Sequence, residues 1–304
     1  SSRAIFRRRR RVEISASSLI LLPPYMGHSL KVFNSLPIST QFTNLKSPNR
    51  TVIDKSRDIL KDLRSDERMM TRTHIVALGG SLLRPEEAEK RQQWLGQLRQ
   101  LIVHVEGNGG KLGIVVGGGL PAREGIELAK NIISDSEKLD EVGIAATRLN
   151  ATILQQIFLD IGCNVAPSIP TTTGEASKLI DSYSIVVMGG TTPGHTTDAV
   201  AIALARDCGA RNCVIATNVD YVYDKDPREH DDANPMFDIS IDRLAEITGT
   251  EPLSPGQSAV VDPVAVGWAR DASIDIAVLD GRDISLLDNA LEGKEFSGTL
   301  IRSV

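Results

Sequence analysis

The chain has 304 residues, 41% of them hydrophobic and 24% charged, a balance ordinary for a folded globular protein. No run of about 18 apolar residues occurs, which excludes a membrane-spanning helix. Two Trp, six Phe and four Tyr are too few for stacking along single-stranded nucleic acid. Charge is divided unevenly. Residues 1–69 hold 14 Lys+Arg against 6 Asp+Glu, and residues 70–304 hold 20 against 33. An acidic body is poorly suited to a polyanion, so no nucleic-acid partner is expected. Cys163, Cys208 and Cys213 are too few and too poorly spaced for a disulfide scaffold or structural zinc, which fits a reducing, cytoplasmic setting.

Residues 1–69 read unlike the rest. Arg7 to Arg11 are consecutive arginines, Ser, Pro and Asn abound, and the apolar Leu19–Leu22 stops at Pro23-Pro24. The composition resembles an organellar transit peptide; the reading adopted is upstream sequence ahead of a true start at Met69 or Met70. Either way the segment is an extension without a core, and residues 70–304 form the folded domain.

From Thr73 the pattern changes. His74–Leu78 is a buried-strand run ending at Gly79-Gly80-Ser81. A helix follows with Trp94, Leu98, Leu101, Ile102 and Val105 on one face, stopped by Asn108-Gly109-Gly110. Leu112–Val116 is the next strand; it ends at Gly117-Gly118-Gly119, and a helix is expected from Pro121. Residues 137–161 read as a long helix. Further strands are expected at 164–166, 184–188, 212–217 and 275–279, with helices between. Apolar strands alternating with amphipathic helices describe a mostly parallel sheet covered on both faces.

Three strands thus end in small residues: Gly79-Gly80-Ser81, Gly117-Gly118-Gly119 and Gly189-Gly190-Thr191-Thr192-Pro193-Gly194. Strand carboxyl ends of a parallel sheet share one edge, where ligands bind. Glycine lets backbone amides approach a ligand, and a following helix N-terminus favours an anion. One such loop alone is a tight turn; three at one edge describe a polyphosphate cradle. Neither a Walker motif nor a Gly-x-Gly-x-x-Gly fingerprint is present, so this is neither a P-loop enzyme nor a typical dehydrogenase.

Arg123 is expected in the first turn of its helix, as a solvated arginine or a phosphate clamp; spacing leaves both open. His195, Thr196, Thr197 and Asp198 open another helix, where Thr196 or Thr197 can serve as the cap. Asp198 would repel phosphate unless it orients a lysine, a metal or a hydroxyl. Thr217 to Arg228 follow a strand and read as a polar hairpin with aromatics, or as a grip on a base and ribose with Tyr223 as a flat wall.

Ala216-Thr217-Asn218-Val219-Asp220, Val222-Tyr223 and Asp226-Pro227-Arg228 resemble the nucleotide-binding segment of the amino-acid-kinase superfamily. Met188 to Ala199, with its Pro-Gly-His core, resembles the uridylate-binding loop of archaeal-type UMP kinases. Gly117–Gly119 with Ala122-Arg123, Gly143-Ile144 with Thr147–Ala151, Val261–Pro263 and Gly298–Ile301 match the same family. The resemblance covers about residues 74–302. It implies a three-layer αβα sandwich, transfer of the ATP γ-phosphoryl group to UMP with Mg²⁺, and a hexamer. It places Gly80, Ser81, Gly119 and Arg123 at the ATP phosphates, and Thr217, Asn218, Tyr223 and Asp226 at adenosine. Gly118, Asp140 and Gly190, Thr191, Thr192, Pro193, Gly194, His195 and Thr196 fall at UMP. Asp198 takes the place of an organising aspartate. Arg123, Asp198 and Ser81 are the catalytic candidates, and no side-chain metal ligand is implied.

One position departs from the superfamily. Many members carry a first-strand lysine where this chain has Ala77, which shifts charge neutralisation to Mg²⁺, Arg123, backbone amides and Lys225. Two alternatives keep the fold. One is a kinase for an acceptor such as isopentenyl phosphate, disfavoured by the polar Thr191, Thr192, His195 and Thr196. The other is an ATP-binding storage or regulatory protein without turnover.

Overall fold

The computed structural model describes residues 73–83, 88–249 and 260–303; the extension expected at 1–69 lies outside them. Five parallel strands form the centre of the sheet: β1 (Thr73–Leu78), β2 (Lys111–Val116), β3 (Ile185–Met188), β4 (Asn212–Thr217) and β8 (Asp275–Asp280). The seven-stranded order is β3-β2-β1-β4-β8-β9-β7. β9 (Gly298–Arg302) runs antiparallel to β8, and β7 (Asp238–Ser240) is parallel to β9. β5 (Val222–Tyr223) and β6 (Pro235–Met236) make a separate antiparallel pair, so the segment after β4 contains a hairpin, one of the two readings given above.

Strand side chains alternate between two cores, as the pleat requires. Ile75 and Ala77 of β1 enter one core, beneath α4 (Thr173–Ser182), α5 (Thr197–Asp207), α6 (Ile241–Thr248) and α7 (Pro263–Asp271). Val76 and Leu78 enter the other, beneath α1 (Ala88–Gly107), α3 (Ser136–Asp160) and α8 (Ile284–Glu292). In α1 the buried residues are Trp94, Leu98, Leu101, Ile102 and Val105, the face read from the sequence. The expected αβα sandwich is therefore present.

Two details differ from expectation. Residues 164–166 make one isolated bridge, Val165 to Ile185, rather than a strand; Pro167 has no N–H with which to continue a ladder. The helix after the second glycine loop, α2 (Gly119–Ala129), begins two residues before Pro121. Arg123 therefore sits in its second turn, where the dipole opposes a cation less.

Candidate functional site

β1, β2, β3, β4 and β8 end at one edge, at Leu78, Val116, Met188, Thr217 and Asp280, and the three glycine stretches emerge side by side there. The first two interlock through bare backbone. A Cβ on Gly80 would stand 2.3 Å from the Gly117 carbonyl oxygen and from the Gly119 nitrogen. Gly119 has φ +59°, and a Cβ there would meet the Gly80 oxygen at 2.4 Å. Only glycine fits either position. The amides of Gly80, Ser81 and Gly118 have no hydrogen-bond partner among the described residues. Unpaired amides at a strand-to-helix turn suit an anion.

The third loop is held by α3. Gly190 N–H donates to Thr147 Oγ1 at 2.7 Å, and Thr147 Oγ1 donates to the Ile144 carbonyl at 2.6 Å. At the far end Gly194 N–H donates to Asp140 Oδ2 at 2.8 Å. Asn150, fully buried on the same helix, donates through Nδ2 to the Gly117 and Gly118 carbonyls at 2.8 and 3.0 Å, anchoring the second loop. The loop tip is braced by Thr192 Oγ1 against His195 Nδ1 at 2.9 Å. The His195 ring meets Trp268 edge-on, with centroids 5.2 Å apart. Thr196 caps α5: its hydroxyl accepts from Ala199 N–H at 3.3 Å and donates to Asp262 Oδ2. The capping role read for Thr196 is thus the one it plays in the free protein. Asp262 in turn caps α7 through Val264 N–H.

Asp198 lies in the first turn of α5, on the side of the sheet that also receives Ala77 and Cys213. Burial pushes its carboxyl up to about 7, helped by the nearby Asp262 carboxylate and opposed by an Asp262 backbone hydrogen bond. Among the described residues it has no cationic partner. A desolvated carboxylate without a counter-ion, next to an anion-receiving edge, suits a cation carried in with a phosphate ligand.

Arg123 is exposed on α2 and bonds nothing among the described residues, so its guanidinium is available to a ligand. Lys225 is not available in this way: its ammonium sits on Asp232 at 2.6 Å.

Beyond β4, Thr217 to Arg228 line an open cleft of about 1120 Å³ together with Arg243, Glu246, Ile247, Thr248 and Val260. Tyr223 donates to Asp220 Oδ1 at 3.0 Å, and its ring meets Tyr221 edge-on at 6.4 Å. Asp226 grips Arg228 through two bonds of 2.7 and 3.0 Å, which holds its carboxyl down at about 2. Thr217, Asn218, Tyr223 and Asp226, assigned to one ligand by resemblance, therefore line one cleft.

The residues that sequence reading left without a role are those of α3 that tie the loops, Thr147, Arg148 and Asn150. Asn150 had a signal: a polar side chain in register with the buried Ile144, Ala151 and Leu154. A separate grouping, His104 with Asp288 and Glu292, has ligand atoms within 4.8 Å of one another. It sits toward the carboxyl ends of α1 and α8, which run back from the glycine edge, and Lys294 already pairs with Glu292.

Residues 72–280 match the model of the amino acid kinase family. The uridylate kinase of Methanocaldococcus jannaschii is 39% identical over 227 residues, 75% of this chain and 98% of that protein. That of Methanococcus vannielii is 38% identical over the same shares. The crystal structure of uridylate kinase from Archaeoglobus fulgidus superposes with a TM-score of 0.64 at 34% identity, covering 76% of this chain and 99% of that one. The UMP kinase structure from Bacillus anthracis, at 22% identity and a TM-score of 0.61, shares the fold. The glycine-lined edge, the cleft beyond β4 and these likenesses have one account: the chain is a member of the amino acid kinase family.

Proposed function

We propose that this protein is a UMP kinase that transfers the γ-phosphoryl group of ATP to UMP, giving UDP. The observation that carries the reading is the sheet edge itself. Two interlocked glycine loops with unpaired amides lie beside a third loop that is polar throughout, and uridylate kinases match this chain along nearly their whole length.

The donor half is read as Gly80, Ser81, Gly119 and Arg123 at the ATP phosphates, with Thr217, Asn218, Tyr223 and Asp226 around adenosine. Gly118, Asp140 and residues 190–196 form the acceptor half. Phosphoryl transfer requires the acceptor oxygen, the γ-phosphorus and the leaving oxygen in line, with charge on the equatorial oxygens stabilised. Interlocked backbone loops would serve the first requirement by fixing the donor phosphates, because their backbones leave each other no room to shift. Backbone amides and Arg123 meet the second, without reorganising at the moment of transfer. Mg²⁺, bound with ATP, would supply the remaining positive charge; the uncompensated carboxyl of Asp198 fits an organising role toward it. Asp140, which already accepts from Gly194 N–H, is read as accepting from a ribose hydroxyl as well.

The protein is further proposed to be a cytoplasmic homo-oligomer, a hexamer by resemblance, with residues 70–304 as its catalytic domain. Leu128 and Ile132, at 83% and 88% exposure, support an oligomer, as do the exposed Leu120, Leu149 and Ile153: all five are large apolar side chains left to solvent on α2, α3 and their connection.

The test is the specificity constant for a panel of acceptors at fixed ATP and Mg²⁺. UMP should exceed CMP, AMP and isopentenyl phosphate by two orders of magnitude or more, roughly, since unpaired buried polar groups penalise a poor acceptor. Tight ATP binding without UMP turnover, or equal turnover of isopentenyl phosphate, would refute the proposal.

A further inference from the structure

Arg148 follows Thr147 on α3, and its side chain also reaches the third loop. One terminal nitrogen, Nη2, lies 3.4 Å from the Gly190 carbonyl oxygen and 3.5 Å from that of Thr191. The Nε is buried and has no partner, and no carboxylate pairs with the guanidinium among the described residues. A cation held in this way beside a loop lacks a counter-charge until an anion arrives.

Peptide geometry turns this contact into a functional arrangement. In a trans peptide the C=O of one residue and the N–H of the next point in opposite directions. When the Gly190 and Thr191 carbonyls face Arg148, the N–H groups of Thr191 and Thr192 face away from it. Neither amide has a hydrogen-bond partner among the described residues. Gly190 N–H is tied to Thr147 and Gly194 N–H to Asp140, so the stretch between them is fixed at both ends.

We propose that Arg148 is a positioning residue of the acceptor site: it sets the Gly190 and Thr191 peptides so that the Thr191 and Thr192 amides form a cradle for the phosphate of a phosphomonoester acceptor. The unpaired guanidinium charge behind the two carbonyls adds to the attraction. This inference rests on the reading of residues 190–196 as the acceptor loop. It accounts for a charged side chain directed at a loop it could otherwise only prop, and it supplies positive charge on the acceptor side of a site that has Ala77 in place of a lysine.

Three variants and two readouts test it. Arg148→Met keeps length and removes charge and donors; Arg148→Lys keeps charge without the planar fork; Asp160→Asn alters an exposed residue at the far end of the same helix as a control. In steady-state kinetics Arg148→Met should raise the KM for UMP about tenfold or more, while kcat and the KM for ATP change less than about threefold. Arg148→Lys should recover part of that loss, and Asp160→Asn should match the native protein. The second readout needs no UMP. Titrating the ATP-free protein with methyl phosphate should shift the Thr191 and Thr192 amide resonances, and Arg148→Met should abolish the shift. An unchanged KM for UMP in Arg148→Met, or loss of kcat and both KM values together with a lowered melting temperature, would overturn the proposal. So would native methyl phosphate shifts in that variant. If native protein shows the methyl phosphate shifts but does not phosphorylate UMP, the UMP assignment fails while the Arg148 cradle stands.

Discussion

Individual side chains at the sheet edge differ in how they are engaged, and that difference sets what each substitution should do. Arg123 has no partner among the described residues. Arg123→Ala should therefore leave the melting temperature unchanged and raise the KM for ATP roughly tenfold to a hundredfold, the range for losing a hydrogen bond to a charged group. Native ATP kinetics in a folded variant would identify a surface arginine. Asp140 is engaged, through Gly194 N–H. Asp140→Ala removes a latch on the loop as well as the proposed ribose acceptor, so kcat/KM for UMP should fall much further than that for ATP, read by varying each substrate at saturation of the other. Asp198 carries a pH signature. Its folded pKa, about 7, stands above the unfolded value, so the folded state holds the proton more tightly. The stability due to that proton is complete below about pH 4. It is lost as pH rises through about 7. Asp198→Asn has no such loss. Its melting temperature relative to native should climb between pH 5 and pH 8, by the equivalent of about 3 kcal/mol, while its turnover drops. A difference that stays flat across that range would show a carboxyl that water reaches freely.

Among the elements, the glycine loops were the most legible part of the sequence and also the part whose consequence was least visible in it. Three small-residue stretches after apolar runs announce turns at strand ends; adjacency in the sequence says nothing about which turns touch. Gly80 and Gly119 touch, with no room for a methyl group between their backbones. Gly80→Ala should separate the first two loops, abolish detectable ATP binding by calorimetry and lower the melting temperature by several degrees, roughly, for a local clash of 1–3 kcal/mol. Gly194 is a useful contrast. Its φ is +81° but open space surrounds it. Alanine there is strained without a clash and should cost less, about 1 kcal/mol. The expected strand at 164–166 failed for a related reason. Its apolar residues are buried as a strand's would be, but the hydrogen-bonding ladder is limited by Pro167, and only Val165 bridges Ile185.

For the whole molecule, two expectations concern extent and assembly. A chain beginning at Met70 should fold and phosphorylate UMP at the full chain's rate, because β1 and every site residue named above lie after that point. Loss of activity in the shorter chain would assign residues 1–69 a part in the enzyme. Leu128→Glu with Ile132→Glu should dissociate the proposed oligomer, seen as a smaller mass by light scattering, since two charges would enter an apolar surface. An unchanged mass would place the interface elsewhere. The sequence by itself determined the layer order and the edge at which the glycine loops gather. Alternation of apolar strands with amphipathic helices admits a parallel sheet and little else, and parallel strands share their carboxyl ends. Tertiary structure decided what single residues do there. Pairing depends on distances between segments far apart in the chain, and spacing along the chain does not encode them. Lys225 pairs with Asp232, Asp198 is half-buried with no cation beside it among the described residues, and Arg148 turns from a matched position on a helix into a brace for a loop 42 residues away.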